Sequence, residues 1–309
     1  MKSALRIVSF LPSATEIACA LGLEDQLVGV SHECDYPPGV KSKPVVVSNA
    51  LPIEKMSQSE IDAAVASRLH EGHSLYQVDE NLLRQLSPDL ILTQDLCQVC
   101  APSGNEVSVA LDLLSKKPEI LWLTPSTIEE IFANIRDLGA ATGRANEAAD
   151  LINASRSRIE SVRAVTAALS KRPRVFCMEW FAPVYCSGHW VPTMVKLAGG
   201  VDELGQEGRD SVRIPWSAVL DYQPEVLVLT PCGYNLEKAI ELAAQLTQFE
   251  GWSSLPAVRT GRVYAVDANS YFARPGPRVA EGVELLAHLI HPDLFHWHGS
   301  ELAYRRLGL

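Results

Sequence analysis

The chain has 309 residues, of which 47% are hydrophobic and 21% charged, and its formal net charge is −10. This length exceeds the size at which one hydrophobic core usually keeps growing, so we expect two lobes of a globular protein. The acidic balance excludes the broad basic face that a phosphate backbone requires, and nucleic acid is therefore not an expected partner.

The longest apolar stretches, such as residues 226–230, have the length of strands and are far shorter than the ~20 residues that span a bilayer, so we expect no membrane insertion. Residues 1–6 lead directly into a strand-like segment without an apolar signal region. This start predicts a cytoplasmic location as given, or a periplasmic one if an export leader was removed. Seven cysteines, an odd number, fit free, metal-binding or redox-active thiols better than a disulfide framework.

Strand and helix patterns alternate over residues 6–124 and predict a parallel sheet with crossover helices. The predicted strands are residues 7–10, 27–30, 89–93 and 120–123, and helices are expected after Ser13, at 79–86 and at 106–115. Two unusual loops, 31–38 and 94–101, follow the second and third of these strands. Ligands in such sheets bind beyond the C-terminal ends of the strands, which is where both loops are expected.

Residues 145–169 carry apolar side chains at a spacing close to one helical face, after a break near Gly143. A helix of this length spans roughly 37 Å, enough to connect two lobes. After Pro173 the α/β pattern restarts, with predicted strands at 174–178, 226–230 and 263–266 and predicted helices at 193–198, 236–246 and 277–291. The sequence thus predicts an N-terminal α/β lobe (1–126), a helical connector (127–171) and a C-terminal α/β lobe (172–309).

Five stretches carry a family resemblance, and they are Ser9-Phe10-Leu11-Pro12-Ser13-Ala14-Thr15-Glu16, Val28-Gly29-Val30-Ser31, Asp35-Tyr36-Pro37-Pro38, Ile214-Pro215-Trp216 and Arg274-Pro275-Gly276-Pro277-Arg278. In this order they resemble the class III periplasmic binding proteins that bind cobalamin, haem or ferric siderophores for ABC importers. The resemblance covers nearly the whole chain. It implies two Rossmann-like lobes with parallel central sheets, joined by one long α-helix, and a ligand cleft between the lobes.

The resemblance also implies a function without catalysis: binding a corrinoid or another metal-chelate ligand, with an ABC transporter permease as partner. Trp216 matches an aromatic residue that lines the cleft in cobalamin binders, and Arg274 matches a polar cleft residue flanked by Tyr271. An ordinary core tryptophan and a surface ion-pair arginine are the alternative interpretations. In the first lobe, Glu33 and Gln94 stand in loops where cobalamin binders carry aromatic residues, and we assign both to the ligand.

In the C-terminal lobe, Glu179 and Trp180 follow the first strand, and His189 precedes the start of a helix. If the two lobes resemble each other, these side chains face the ligand. Core packing of Trp180 and a hydrogen-bonded loop histidine at position 189 are the alternatives.

The CxxC pair Cys97 and Cys100 has the spacing of two thiolates that share a metal, and His32 and Cys34 lie on another loop expected at the same sheet edge. These four residues are the candidate ligands for zinc or an iron–sulfur centre. A redox pair, or thiols that only line a ligand pocket, remain open. The alternative function is accordingly a cytoplasmic metal-binding or thiol redox protein on the same fold. No nucleophile elbow, P-loop or dinucleotide fingerprint is present, so we do not expect an enzyme.

Overall fold

The computed structural model describes residues 5–94, 114 and 116–308. The chain divides into a first lobe, Met1–Pro125 with Glu129–Ile152, and a second lobe, Ser126–Ile128 with Asn153–Leu309. Within the described residues, no helix has the length and hydrophobicity needed to cross a membrane.

The first lobe is built on a six-stranded sheet. Its strands are β1 (Ile7–Ser9), β2 (Leu27–Ser31), β3 (Val45–Asn49), β4 (Tyr76–Val78), β5 (Leu90–Thr93) and β6 (Glu119–Trp122), in the order β4-β3-β2-β1-β5-β6. All neighbours pair in parallel except β3 and β4. The central strands β1 and β5 are fully buried, which fits the continuous apolar runs that the sequence shows there.

The described part of the first lobe contains four helices, and they are α1 (Pro12–Ala20), α2 (Gln58–His70), α3 (Glu80–Leu86) and α4 (Ile128–Thr142). Their starts follow from local chemistry. Pro12 opens α1, where a missing N–H costs nothing. Ser57 and Glu60 form a capping box at α2, and the Asp79 carboxylate accepts the Leu82 N–H at α3.

The second lobe contains a five-stranded sheet in the order β13-β12-β11-β7-β8 and a small pair, β9 with β10. Its strands are β7 (Val175–Phe181), β8 (Val184–Cys186), β9 (Gly188–His189), β10 (Gln206–Glu207), β11 (Val226–Leu229), β12 (Val263–Val266) and β13 (Tyr304–Leu307). Strands β7, β11 and β12 are parallel, whereas β8 and β13 form antiparallel edges. Its helices are α6 (Val191–Leu197), α7 (Trp216–Tyr222), α8 (Leu236–Ala243), α9 (Pro256–Arg259), α10 (Ala268–Tyr271) and α11 (Val279–Ile290).

Helix α5 (Ala145–Thr166) joins the lobes, because the boundary between Ile152 and Asn153 falls inside it. Gly143, with φ of 72°, separates α5 from α4. In the second lobe, the Arg158 guanidinium donates to the carboxylates of Glu281 and Glu284 on α11, at 3.3 and 2.6 Å from their oxygens. The prediction of two α/β lobes joined by a long helix is confirmed, although the helix ends three residues before the predicted position 169.

Several elements differ from the sequence-based expectation. The sequence did not predict strand β3, the antiparallel strands β4, β8 and β13, or the short strands β9 and β10. It also did not predict helices α2, α7, α9 and α10. These are short or weakly periodic segments that packing stabilises more than local pattern does. The helix expected at 106–115 lies outside the described residues except for position 114.

Candidate ligand-binding face of the second lobe

The C-terminal ends of β7, β11 and β12 carry three segments that bond to one another. They are Glu179 and Trp180 at the end of β7, residues 230–235 after β11, and residues 267–274 after β12. The Cys232 N–H donates to the Glu179 carbonyl at 3.1 Å, and the Asn269 N–H donates to the Tyr234 carbonyl at 3.3 Å. Parallel strands gather their C-terminal ends at one edge, and these bonds join the three segments into one surface, which we call the second-lobe face.

An aromatic pair occupies this face. The rings of Trp180 and Tyr234 stack with centroids 5.6 Å apart and an interplanar angle of 27°, and both residues are half-buried. Burial, with the neighbouring Cys232 thiol and Glu241 carboxylate, raises the pKa of the Tyr234 hydroxyl, so the phenol stays neutral and able to donate a hydrogen bond. The sequence analysis chose Trp180 but missed Tyr234. The sequence feature that could have revealed Tyr234 is its position in the segment that follows the buried parallel strand β11.

Residue Glu179 is partly buried beside Trp180. Burial raises the pKa of the Cys177 and Cys186 thiols, and the nearby carboxylates of Asp202 and Glu179 raise it further. Cys186 packs into the hydrophobic core of the lobe. Cys232, by contrast, is exposed on the second-lobe face. The thiol available for chemistry there is therefore Cys232, which the sequence analysis did not choose.

Tyr271 is buried under its neighbours. Its ring meets the Trp297 ring edge-on at 5.7 Å, and the Arg278 guanidinium lies 6.0 Å from its centroid. The next residue, Phe272, accepts a hydrogen bond from the Trp190 indole through its carbonyl. Arg274 follows in the same segment and is partly exposed. Within this segment Arg274 is thus partly exposed, whereas Tyr271 is buried.

Trp216 begins α7 and packs within the lobe. Its indole N–H donates to the Glu250 carbonyl at 2.8 Å. Its ring packs against the rings of Phe249 and Trp252, with centroid distances of 4.9 and 6.1 Å. Residue 216 is only partly buried. These contacts fix the ring at the edge of the second-lobe core, and a role in ligand binding stays a prediction.

His189 lies in β9 with a positive φ of 52°, a backbone conformation that residues other than glycine rarely adopt. Its Nε2 is 3.0 Å from Oδ1 of the exposed Asp210, and its ring lies 5.5 Å from that of Trp190. His189 is thus hydrogen-bonded, as one alternative of the sequence analysis has it, but it lies in strand β9 and not in a loop. Its assignment to the ligand stays a prediction.

The Asp202 carboxylate links the residue that precedes β9 with the residue that precedes β10. The Asp202 carboxylate accepts hydrogen bonds from the Ser187 hydroxyl and the Gly205 N–H, both at 3.0 Å. Burial raises its pKa from 3.8 to about 6 despite these bonds. Asp202 also lines a groove of about 910 Å³ between the end of α5, helix α6 and residues 200–207.

The candidate residues of the first lobe lie at the C-terminal ends of β2 and β5, which flank β1 on either side. His32 directly follows β2, and its Nδ1 is 3.2 Å from the Val47 carbonyl oxygen. Glu33 is partly buried, and Gln94, which follows β5, is buried. The prediction that the two loops begin at the same sheet edge agrees with this strand order.

The predicted metal site is only half described. Cys34 is buried, with its sulfur 3.1 Å from the Thr15 hydroxyl oxygen, whereas Cys97 and Cys100 lie outside the described residues. Among residues 5–94, 114 and 116–308, no cluster of three or more His, Cys, Asp or Glu side chains could hold a metal ion. A zinc or iron–sulfur centre at His32, Cys34, Cys97 and Cys100 stays a prediction.

Comparison with known proteins decides the family. Residues 7–270 match the model of the periplasmic binding protein family. The chain belongs to this family. Its resemblance to class III binding proteins, inferred from the five sequence stretches, is thereby confirmed.

Known family members extend the comparison. The chain is 27% identical over 308 residues to an uncharacterised ABC transporter substrate-binding lipoprotein, YvrC, of Bacillus subtilis, covering 95% of this chain and 82% of that one. It is 28% identical over 283 residues to a vitamin B12-binding protein of Vibrio cholerae, covering 90% and 86%. A periplasmic haem-binding protein of Pseudomonas aeruginosa has the same fold, with a TM-score of 0.71, 20% identity and 96% of both chains covered.

Proposed function

We propose that this protein is the substrate-binding component of an ABC importer and that it binds a corrinoid without catalysing a reaction on it. The observation that carries the proposal is the second-lobe face, where the stacked rings of Trp180 and Tyr234 offer an apolar platform beside polar groups. Ligand sites combine apolar and aromatic surface with a few placed polar groups, and a corrin ring matches such a platform.

The family relationship supports this substrate class. The Vibrio cholerae relative is a vitamin B12-binding protein and aligns over 90% of this chain. An exported protein, periplasmic or anchored as a lipoprotein, fits the family better than the cytoplasmic location expected from the N-terminal residues. The permease of the importer is the protein partner that this role requires.

A haem-like chelate is the second candidate, favoured by the fold shared with the Pseudomonas aeruginosa haem-binding protein. The corrinoid stays the first candidate because the vitamin B12-binding relative is 28% identical to this chain, whereas the haem-binding protein is 20% identical. The thiol redox alternative gains no support from the described cysteines. Cys34, Cys177 and Cys186 are buried, and Cys232 lies on a different lobe from Cys34.

Titration of the protein with cyanocobalamin, dicyanocobinamide and haemin tests the proposal, with intrinsic tryptophan fluorescence and calorimetry as readouts. We expect saturable binding of a corrinoid at a stoichiometry near one and weaker binding of haemin. Trp180→Ala should lower corrinoid affinity, while Trp180→Phe, which keeps an aromatic ring at the same position, serves as the matched control and should retain most of it. Binding of none of the three chelates would reject the proposed function.

A further inference from the structure

The aromatic pair on the second-lobe face continues across the β7–β8 hairpin. Trp180 on β7 pairs directly with Tyr185 on β8. Residues opposite each other in an antiparallel pair place their side chains on the same side of the sheet, with Cβ atoms about 5 Å apart. Both residues are partly exposed, whereas the next pair, Phe181 and Val184, is buried. The Tyr185 ring therefore extends the platform that Tyr234 and Trp180 begin.

An arginine ends this row. Tyr185 forms an antiparallel bridge with Arg213, which precedes α7. The Arg213 Nε–H donates to the Tyr185 hydroxyl at 2.9 Å, and the guanidinium carbon lies 5.7 Å from the Tyr185 ring centroid. A guanidinium within about 6 Å of an aromatic ring is stabilised by cation–π attraction. Both distances place the Arg213 guanidinium beside the hydroxyl end of the Tyr185 ring, at the end of the row, and residue 213 is exposed.

The backbone holds this arrangement independently of the arginine side chain. On either side of Arg213, the Cys186 N–H donates to the Val212 carbonyl at 3.1 Å, and the Ile214 N–H donates to the Val184 carbonyl at 3.0 Å. Residues 212–214 therefore extend the edge of the hairpin. The position of Arg213 relative to Tyr185 is set by strand-like pairing and not by a mobile loop.

We propose that Tyr234, Trp180, Tyr185 and Arg213 form a ligand-binding strip in which three aromatic rings receive a planar group and Arg213 binds an anionic group at its end. Arginine presents N–H donors in a planar fork that matches the two oxygens of a phosphate or a carboxylate. The proposal rests on the proposed function for the identity of the planar group. It adds that the ligand carries a negative charge on the Arg213 side.

The strip is tested first with a probe pair that does not depend on the chelate: 1-pyrenebutyrate and its neutral analogue 1-pyrenebutanol. Fluorescence titrations would compare the wild type with Arg213→Gln and with Arg209→Gln, a matched control at another exposed arginine of the same segment. We expect the wild type to prefer the anionic probe on the order of tenfold, as for one charged hydrogen-bonded pair. Arg213→Gln should remove this preference, and Arg209→Gln should keep it.

Two further variants separate charge from position. Arg213→Lys retains the charge but not the planar fork, so it should restore only part of the preference. Tyr185→Phe removes the hydroxyl that holds Nε, and we expect the preference for the anionic probe to fall roughly threefold at an unchanged melting temperature. An Arg213→Gln protein that still prefers pyrenebutyrate would overturn the proposal, as would a wild type that binds both probes equally.

Chelates then identify the source of the anion. Cyanocobalamin carries a phosphate in its nucleotide loop, whereas dicyanocobinamide lacks it, and haemin carries two carboxylates. If Arg213 binds the phosphate, Arg213→Gln should lower the affinity for cyanocobalamin on the order of tenfold and leave the affinity for dicyanocobinamide unchanged. If a carboxylate is bound, Arg213→Gln should weaken the binding of haemin and leave the binding of both corrinoids unchanged.

The outcomes also separate this inference from the proposed function. If the wild type and the Arg213→Gln variant bind every chelate with equal affinity, the proposed ligand-binding strip is rejected and the proposed function is retained. A wild type that prefers pyrenebutyrate through Arg213 but binds no chelate would support the strip and reject the proposed function.

Discussion

The indole of Trp180 stacks on the phenol ring of Tyr234 at 5.6 Å, although the two residues are 54 positions apart in the sequence. They meet because β7 and β11 are adjacent parallel strands, with Leu229 paired to Met178. The backbone bond from Cys232 to Glu179 closes the same contact.

Replacing Tyr234 with alanine should weaken corrinoid binding while leaving the fold intact. The ring is half-buried, and an aromatic pair contributes about 0.5–1.5 kcal/mol beyond its buried area. We therefore expect roughly a three- to tenfold loss of affinity, measured by calorimetry, and a small shift in melting temperature. Tyr234→Phe keeps the stack and should bind nearly as the wild type does. Equal affinity of the alanine variant would remove Tyr234 from the site.

Trp216→Ala should destabilise the second lobe. The variant loses contacts with Phe249 and Trp252 and leaves the Glu250 carbonyl without the indole N–H. Truncating a partly buried tryptophan of this kind should cost about 2 kcal/mol in the free energy of unfolding, below the range for fully buried aromatic residues. Denaturant unfolding measures it. An unchanged stability with lower ligand affinity would instead identify Trp216 as the cleft residue that the family resemblance implies.

Asp202 should make the second lobe more stable as the pH falls from 7 towards 4. Its pKa is about 6 in the folded protein and 3.8 when unperturbed, so the folded state binds this proton more tightly. The stability from proton uptake is therefore present at low pH and is lost as the pH rises through the window between these two values. The difference in unfolding free energy between the wild type and Asp202→Asn should change across this window. Asp293→Asn, at an exposed carboxylate, is the control and should show no such change.

Cys232 should be the most reactive of the described thiols. It is exposed, whereas burial raises the pKa of Cys177, Cys186 and Cys19, the last to about 12. Because Cys97 and Cys100 lie outside the described residues, the experiment uses a Cys97→Ser, Cys100→Ser background. We expect one thiol to react rapidly with Ellman's reagent, cyanocobalamin to slow it, and Cys232→Ser to abolish the rapid phase. Rapid labelling that persists in Cys232→Ser would contradict the assignment.

Local sequence patterns determined the buried central strands and the long connecting helix of this protein. The buried strands β1, β5, β7, β11 and β12 appear as continuous apolar runs, and the connecting helix α5 appears as a long periodic segment after Gly143. These features depend on residues close together in the chain, so the sequence was sufficient to predict two α/β lobes and the helix that joins them. The position of Trp180 at the end of a parallel strand was predictable for the same reason.

Only the tertiary structure decided which side chains share the second-lobe face. Tyr234 reaches Trp180 through strand order, and Arg213 reaches Tyr185 through a bridge between residues 28 positions apart. It also decided that Trp216 packs on Phe249 and that Tyr271 lies buried beneath Trp297. The physical reason is that such contacts depend on sheet order and packing between distant segments, about which periodicity and local propensity along the chain carry no information.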